Sequence, residues 1–113
     1  MEPLQVIAAP RRLRILELVW DTERSAGEIA AQFEVSWSAI SQHLTVLKTA
    51  GFVVERRDGR SRFYRADKAA LGSLRAVVEE HWRSGLNRLK ELAEAEERAA
   101  EEREAEQADK DRS

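Results

Sequence analysis

The stretch SAGEIAAQFEVSWSAISQHLTVLKTAG, from Ser25 to Gly51, constrains the fold more than any other part of the chain. Ser25 can cap a first short helix, with Glu28 three residues on to reach back to the cap amide, and Ile29, Ala30 and Phe33 then share one face. After Glu34-Val35, Ser36 can cap a second helix. Val35 before the cap and Ile40 inside the helix are spaced to close as a hydrophobic staple, which fixes the entry angle. Ile40, Leu44 and Leu47 recur at helical spacing and turn inward, so Ser38, Ser41, Gln42, Thr45 and Lys48 face the other way. That outer face is polar and free of carboxylates. His43 flanks the inward stripe and suits packing or a phosphate contact. A short helix, a tight turn and a second helix with small hydrogen-bonding residues outside form a helix-turn-helix, whose second helix enters the major groove. Gln can bond adenine bidentately, and Ser or Thr can serve several base edges.

The overall charge looks wrong for such a role until it is divided along the chain. The 113 residues carry a net charge of -2. From Glu94 onward there are nine acidic and four basic residues, which leaves residues 1–93 with fifteen Lys and Arg against twelve Asp and Glu. Between Ser36 and Ala66 the bases are Lys48, Arg56, Arg57, Arg60, Arg62 and Arg65, against Glu55 and Asp58 only. This local excess suits phosphate. With 12.9 kDa the chain has room for one domain and a tail, expected at 1–93 and 94–113. It contains no cysteine, which excludes disulfides and thiolate metal sites, and it shows no spanning apolar run or secretory segment. A cytoplasmic protein without membrane contact is the default.

Leu4 to Ala8 begins a helix that Pro10 should interrupt, and Pro10 suits the first turn of the next. Leu13, Ile15, Leu16, Val19 and Trp20 make that second helix a core element. The leading helix, with Leu4 and Ile7, packs either on a partner subunit or within its own domain. Thr22 to Arg24 reads as a polar connection.

Gly51 ends the second motif helix as a left-handed residue, and the hydrophobic period then changes. Phe52–Arg57 and Ser61–Ala66 flank Asp58-Gly59, a strong type I′ hairpin signal. That turn sets Arg57 against Arg60, Glu55 against Arg62, Val54 against Phe63 and Val53 against Tyr64. Arginines 56, 57, 60 and 62 then crowd the tip. Directly after a helix-turn-helix, such a hairpin reads as a wing that meets the DNA backbone or the adjacent minor groove.

Asp67 can cap one long last helix, with Leu71, Leu74, Val78, Trp82, Gly85 or Leu86, Leu89 and Leu92 in a single stripe. A stripe of about 22 residues, roughly 33 Å, exceeds what a domain this small needs for its own core, so part of it should face another subunit. The interface expected is Leu4, Ile7, Leu74, Val78, Trp82, Leu86 and Leu89. Beyond Ala93 the helix formers carry no apolar stripe, and the segment should fray or be disordered from about residue 100. Trp37 either stacks on the connecting turn or lies against a DNA sugar.

These residues resemble the winged helix-turn-helix repressors of the ArsR type. The likeness covers roughly Leu4 to Leu92 and rests on Ala9-Pro10-Arg11-Arg12 with Ile15-Leu16, Ala26 to Ala30, Ser41-Gln42-His43-Leu44 with Leu47 and Ala50-Gly51, and Arg57-Asp58-Gly59-Arg60 with Tyr64. It implies a mainly α fold with a small β-hairpin, dimeric through the first and last helices. The homodimer would repress transcription from an inverted-repeat operator. Two departures stand out. Thiolate sensors of the family carry cysteines where this chain has Thr22 to Gly27, and the helical metal site uses paired His and carboxylates where this chain offers only His81 with Glu79 and Glu80. Trp37 also stands where the family has a polar or basic residue.

A nickel or zinc response through His81 is therefore a weak alternative, and no cofactor is expected. A winged-helix protein-interaction module controlled by a partner protein is the alternative from another class, and relief by a small effector is compatible with the same fold. Catalysis is not expected, since no nucleophile has an evident base and no phosphate-cradling loop exists.

Overall fold

A computed structural model describes residues 1–84 and 88–112. Helix α1 spans Pro3–Ala8 and α2 spans Pro10–Leu18, each with a proline in its first turn. Strand β1 is Arg24–Ser25, followed by α3 at Ala26–Ala30 and α4 at Trp37–Thr49. Strands β2, Val53–Asp58, and β3, Ser61–Ala66, complete an antiparallel sheet in the order β1-β3-β2. A 3-10 turn at Lys68–Leu71 leads to α5, Leu74–Ser84, and α6 runs from Arg88 to Arg112.

The helix-turn-helix forms as its caps require. Ser25 Oγ accepts from the Glu28 amide at 3.1 Å while Glu28 returns a bond to the Ser25 amide at 3.1 Å, and Ser36 Oγ accepts from Ala39 N at 3.2 Å. Ile29, Ile40, Leu44 and Leu47 are buried, with Phe33 and Val35 packed against them. At the far end Gly51, at φ 84, closes α4: Phe52 N donates to Leu47 O and Gly51 N to Lys48 O, both at 3.0 Å. This is a Schellman stop, and it sets the direction in which β2 leaves.

Four expectations need correction. The connection before α3 is a strand, because Arg24 and Ser25 pair with Tyr64 and Phe63 on the open edge of β3. The hairpin turn is Gly59-Arg60, displaced by one residue. Gly59 has φ 61 and no other residue near the turn has positive φ, the type II′ pattern in which glycine takes the first central position. The register moves by two: Glu55 faces Tyr64, Arg57 faces Arg62, and Arg56 faces Phe63. The long last helix is divided, since Gly72 leaves the 3-10 turn at φ 56 and α5 begins afresh. Finally, α6 is helical through Arg112 where fraying is expected. From Glu94 to Asp111 its side chains are exposed, apart from half-buried Ala99 and Ala100, so helix propensity rather than packing carries it.

The core unites α1, α2, α4, the sheet base and the C-terminal helices. Ile7, Ile15, Leu16, Val19, Ile40, Leu47 and Val78 lie fully inside it. Trp20 meets Trp82 edge to face at 4.8 Å, with the Lys68 ammonium 5.1 Å over the Trp20 ring. The first helix is held from two sides: Arg12 donates to Val6 O at 2.6 Å and Gln5 O at 3.1 Å, satisfying its terminal carbonyls, and Gln5 Nε2 donates to Ala93 O at 3.0 Å. Of the expected interface residues, Ile7, Val78 and Leu89 are buried within their own chain and have no surface left to offer. Leu4, Leu74 and Trp82 keep partial exposure, and Leu86 lies outside the described residues. No described helix is long and apolar enough to cross a membrane.

Candidate nucleic-acid interface

Inward burial of Ile40, Leu44 and Leu47 turns the opposite face of α4 to solvent. Ser38, Gln42, Thr45 and Lys48 are exposed there, and Ser41 and His43 are half-buried at its margins. Thr45 Oγ1 donates back to Ser41 O at 2.9 Å, which leaves Gln42 as the long side chain free to extend outward. His43 Nδ1 lies 3.4 Å from Arg12 Nη1. Burial, and then the charges of Arg12 and Arg11, push its pKa below the ordinary histidine value, so the neutral imidazole is favoured.

The corrected register gathers Glu55, Arg57, Arg62 and Tyr64 on one face of the hairpin, turned toward α4. Glu55, whose side chain is 9% exposed, is the hub: Tyr64 Oη donates to Glu55 Oε2 at 2.9 Å, Arg57 Nε to Oε1 at 3.2 Å, and Lys48 Nζ lies 3.5 Å from Oε1. The Tyr64 hydroxyl, followed by Arg57 and Lys48, holds the Glu55 carboxyl below the usual range against the opposing effect of burial. Burial and then Glu55 push the Tyr64 phenol up. One carboxylate thus joins the helix to the wing while Lys48, Arg57 and Arg62 leave the cluster positive. Sequence reasoning missed this role because the register expected put Glu55 against Arg62. A lone carboxylate inside a basic hairpin was the available signal.

The other face treats its arginine differently. Arg56 reaches back to Glu23 with a bidentate pair at 2.6 and 3.1 Å and lies 4.6 Å over the Phe63 ring. Arg56 thus ties the hairpin to the segment before β1. Arg60 and Arg62 form no ion pair among the described residues. They bound an open groove of about 440 Å³ with Ser61, Trp37, Ser41 and the start of α3. Trp37 on the same groove is 52% exposed.

Residues 9–54 match the model of the bacterial regulatory proteins of the arsR family. Over 92 residues the chain is 36% identical to the HTH-type transcriptional regulator Rv2034 of Mycobacterium tuberculosis, covering 81% of this chain and 86% of that one. This chain belongs to the ArsR family. A crystal structure of a possible transcriptional regulator for arsenical resistance is 45% identical and superposes with a TM-score of 0.63, covering 79% of this chain and 93% of that one. The solution structure of a homodimeric winged helix-turn-helix DNA-binding domain from Mycobacterium bovis, a possible ArsR-family regulator, is 33% identical at a TM-score of 0.58, over 68% and 75%. The ArsR-family chain is accordingly a transcriptional regulator with a winged helix-turn-helix DNA-binding domain, in which α3 and α4 form the helix-turn-helix and β2-β3 the wing.

The metal alternative finds little support among the described residues. Glu79 Oε1 is bonded by Arg75 at 2.8 Å and Glu80 lies 3.6 Å from Arg83, while adjacent residues of a helix point about 100° apart and cannot converge with His81 on one ion. No group of three His, Asp or Glu side chains suited to a metal occurs among the described residues, although His81 Nδ1 is buried without a partner. Within one chain these residues form no nickel or zinc site.

Proposed function

We propose that this regulator acts as a homodimeric repressor on an inverted-repeat operator, each α4 lying in a major groove and each wing tip on the neighbouring backbone or minor groove. The observation that carries the reading is the shared groove: Trp37 and Ser41 of α4 line the same space as Arg60 and Arg62, which form no ion pair among the described residues, while Glu55 and Glu23 on the hairpin's flanks are held by cations. Two-fold symmetry would set the half-sites about one helical turn apart, roughly 34 to 36 Å between recognition helices. The homodimeric relative supports that symmetry. Bound at a promoter, such a dimer occupies the surface that polymerase needs.

Footprinting on the protein's own upstream region, with a salt titration, tests the reading. Protection of an imperfect inverted repeat, with affinity falling steeply as salt rises, is expected. Affinity for that region no higher than for random duplex would remove sequence-specific reading and favour a protein-interaction module. The release signal is proposed to be a small effector or partner protein rather than a metal. Stoichiometric zinc or nickel should leave operator affinity unchanged within about twofold, and a tenfold change abolished by His81→Ala would make His81 a ligand.

A further inference from the structure

We infer that Trp37 is a specificity-determining residue whose indole packs against the 5-methyl group of a thymine in each half-site. The inference rests on the DNA-reading function proposed above. Trp37 is the first residue of α4, and the N-terminal residues of a recognition helix are the ones that meet base edges. An indole at 52% exposure is a large apolar surface left in water, while the other two tryptophans are packed against each other. Ile40, Leu44 and Leu47 already supply the inward stripe, and the Trp37 indole forms no aromatic or cation–π ring contact among the described residues.

The surroundings specify what the ring meets. Trp37 shares its groove with Arg60 and Arg62 on the wing side and Ser41 on the helix side. Those guanidiniums are placed to hold phosphates, so the backbone is held at the far wall and the helix-side wall, with Trp37 and Ser41, is left to the bases. In the major groove the apolar feature of a base pair is the thymine methyl, and an apolar side chain reads it by contact. Ser41, one helical turn on, is polar and half-buried and would bond the neighbouring base edge. A single methyl removed from water is worth about a fourfold change in affinity, which is selective without dominating the complex.

Selection from a pool of randomised duplexes tests the inference with the full chain as wild type, Trp37→Ala and Trp37→Phe. Wild type should recover half-sites with a fixed thymine, Trp37→Phe should keep it, and Trp37→Ala should lose that position alone while retaining the others. Replacing that thymine by uracil in the recovered duplex should weaken wild type about fourfold and leave Trp37→Ala unchanged. If wild type selects no sequence, the DNA-reading function itself fails. Should wild type select a site and Trp37→Ala recover the same thymine, or lose affinity equally on thymine and uracil duplexes, the methyl contact is wrong. Circular dichroism of each variant guards against misfolding: an unfolded Trp37→Ala would overturn the inference by showing that the ring serves stability.

Discussion

Gln42 and the two wing-tip arginines look alike as polar surface residues, yet their partners should differ in kind. Gln42 is exposed in the middle of α4, with both amide functions available to a base edge. Gln42→Ala should cost about 1 to 3 kcal/mol on the preferred site and little on random duplex. Arg60 and Arg62 offer charge to any phosphate, so Ala at either should weaken all sequences alike and lower the salt slope by about one. Equal losses on both DNAs for Gln42→Ala would reduce it to a positioning residue. His43 makes a separate prediction through its depressed pKa. The unfolded chain takes up a proton near pH 6.5 while the folded chain resists it, so stability should fall as pH drops through that value and level off below the folded pKa. Urea midpoints from pH 8 to 5 should show the decline in wild type and a smaller one in His43→Gln. Parallel curves would mean that His43 is not the titrating group.

At the scale of elements, the junction of α4 with the wing is the unit of function, and Glu55 holds it. Its carboxylate takes a proton more reluctantly in the folded chain, chiefly through the Tyr64 hydroxyl. That contribution is present above pH about 4.5 and is lost as pH falls through the lower folded value, so Tyr64→Phe should raise the pH of acid unfolding. Glu55→Ala removes the acceptor of the Tyr64 hydroxyl and returns Lys48 and Arg57 to mutual repulsion. It should cost about 1 to 3 kcal/mol in stability and weaken DNA of every sequence, even though it removes a negative charge from a DNA-facing surface. Tighter binding by Glu55→Ala would show that charge outweighs placement of the wing. The register that creates this junction was not legible in the sequence. Asp58-Gly59 carries the usual I′ signal, and one residue of displacement in the turn re-pairs the entire hairpin. The caps at Ser25 and Ser36, the stripe of Ile40, Leu44 and Leu47, and the stop at Gly51 were legible, because each depends on residues within one or two helical turns. Strand β1 was hidden for the opposite reason. Two residues have no periodicity, and the partner that makes Arg24 and Ser25 a strand lies some forty positions away.

For the whole molecule, the question is which apolar surface remains once the single chain has filled its own core. Part of the stripe expected to serve a partner is consumed internally, since Val78 and Leu89 are buried in the core of their own chain and α6 packs against α1. Among the described residues the apolar surface that remains includes Leu92, 41% exposed on α6 one position from buried Ala93, and the half-buried Leu4 on α1, the helix that α6 packs against. An isologous dimer places such a patch against its own copy, so a modest area per chain counts twice. The exposed, charged length of α6 beyond residue 93 adds solubility rather than contact, and it masks a body that is itself basic. Two substitutions three positions apart separate core from interface. Leu89→Ala should destabilise the fold by about 2 to 5 kcal/mol, the usual cost of opening a cavity at a fully buried leucine. Leu92→Glu should leave helicity and the monomer's fold intact while placing a carboxylate against its symmetry mate. Sedimentation should then find a dimer for wild type at micromolar concentration and a monomer for Leu92→Glu. Operator binding by the variant should fall steeply, because one half-site alone supplies half the contacts. Wild type sedimenting as a monomer with operator DNA present would remove the two-fold arrangement, and a dimeric Leu92→Glu would move the interface to the exposed edges of Leu74 and Trp82 on α5.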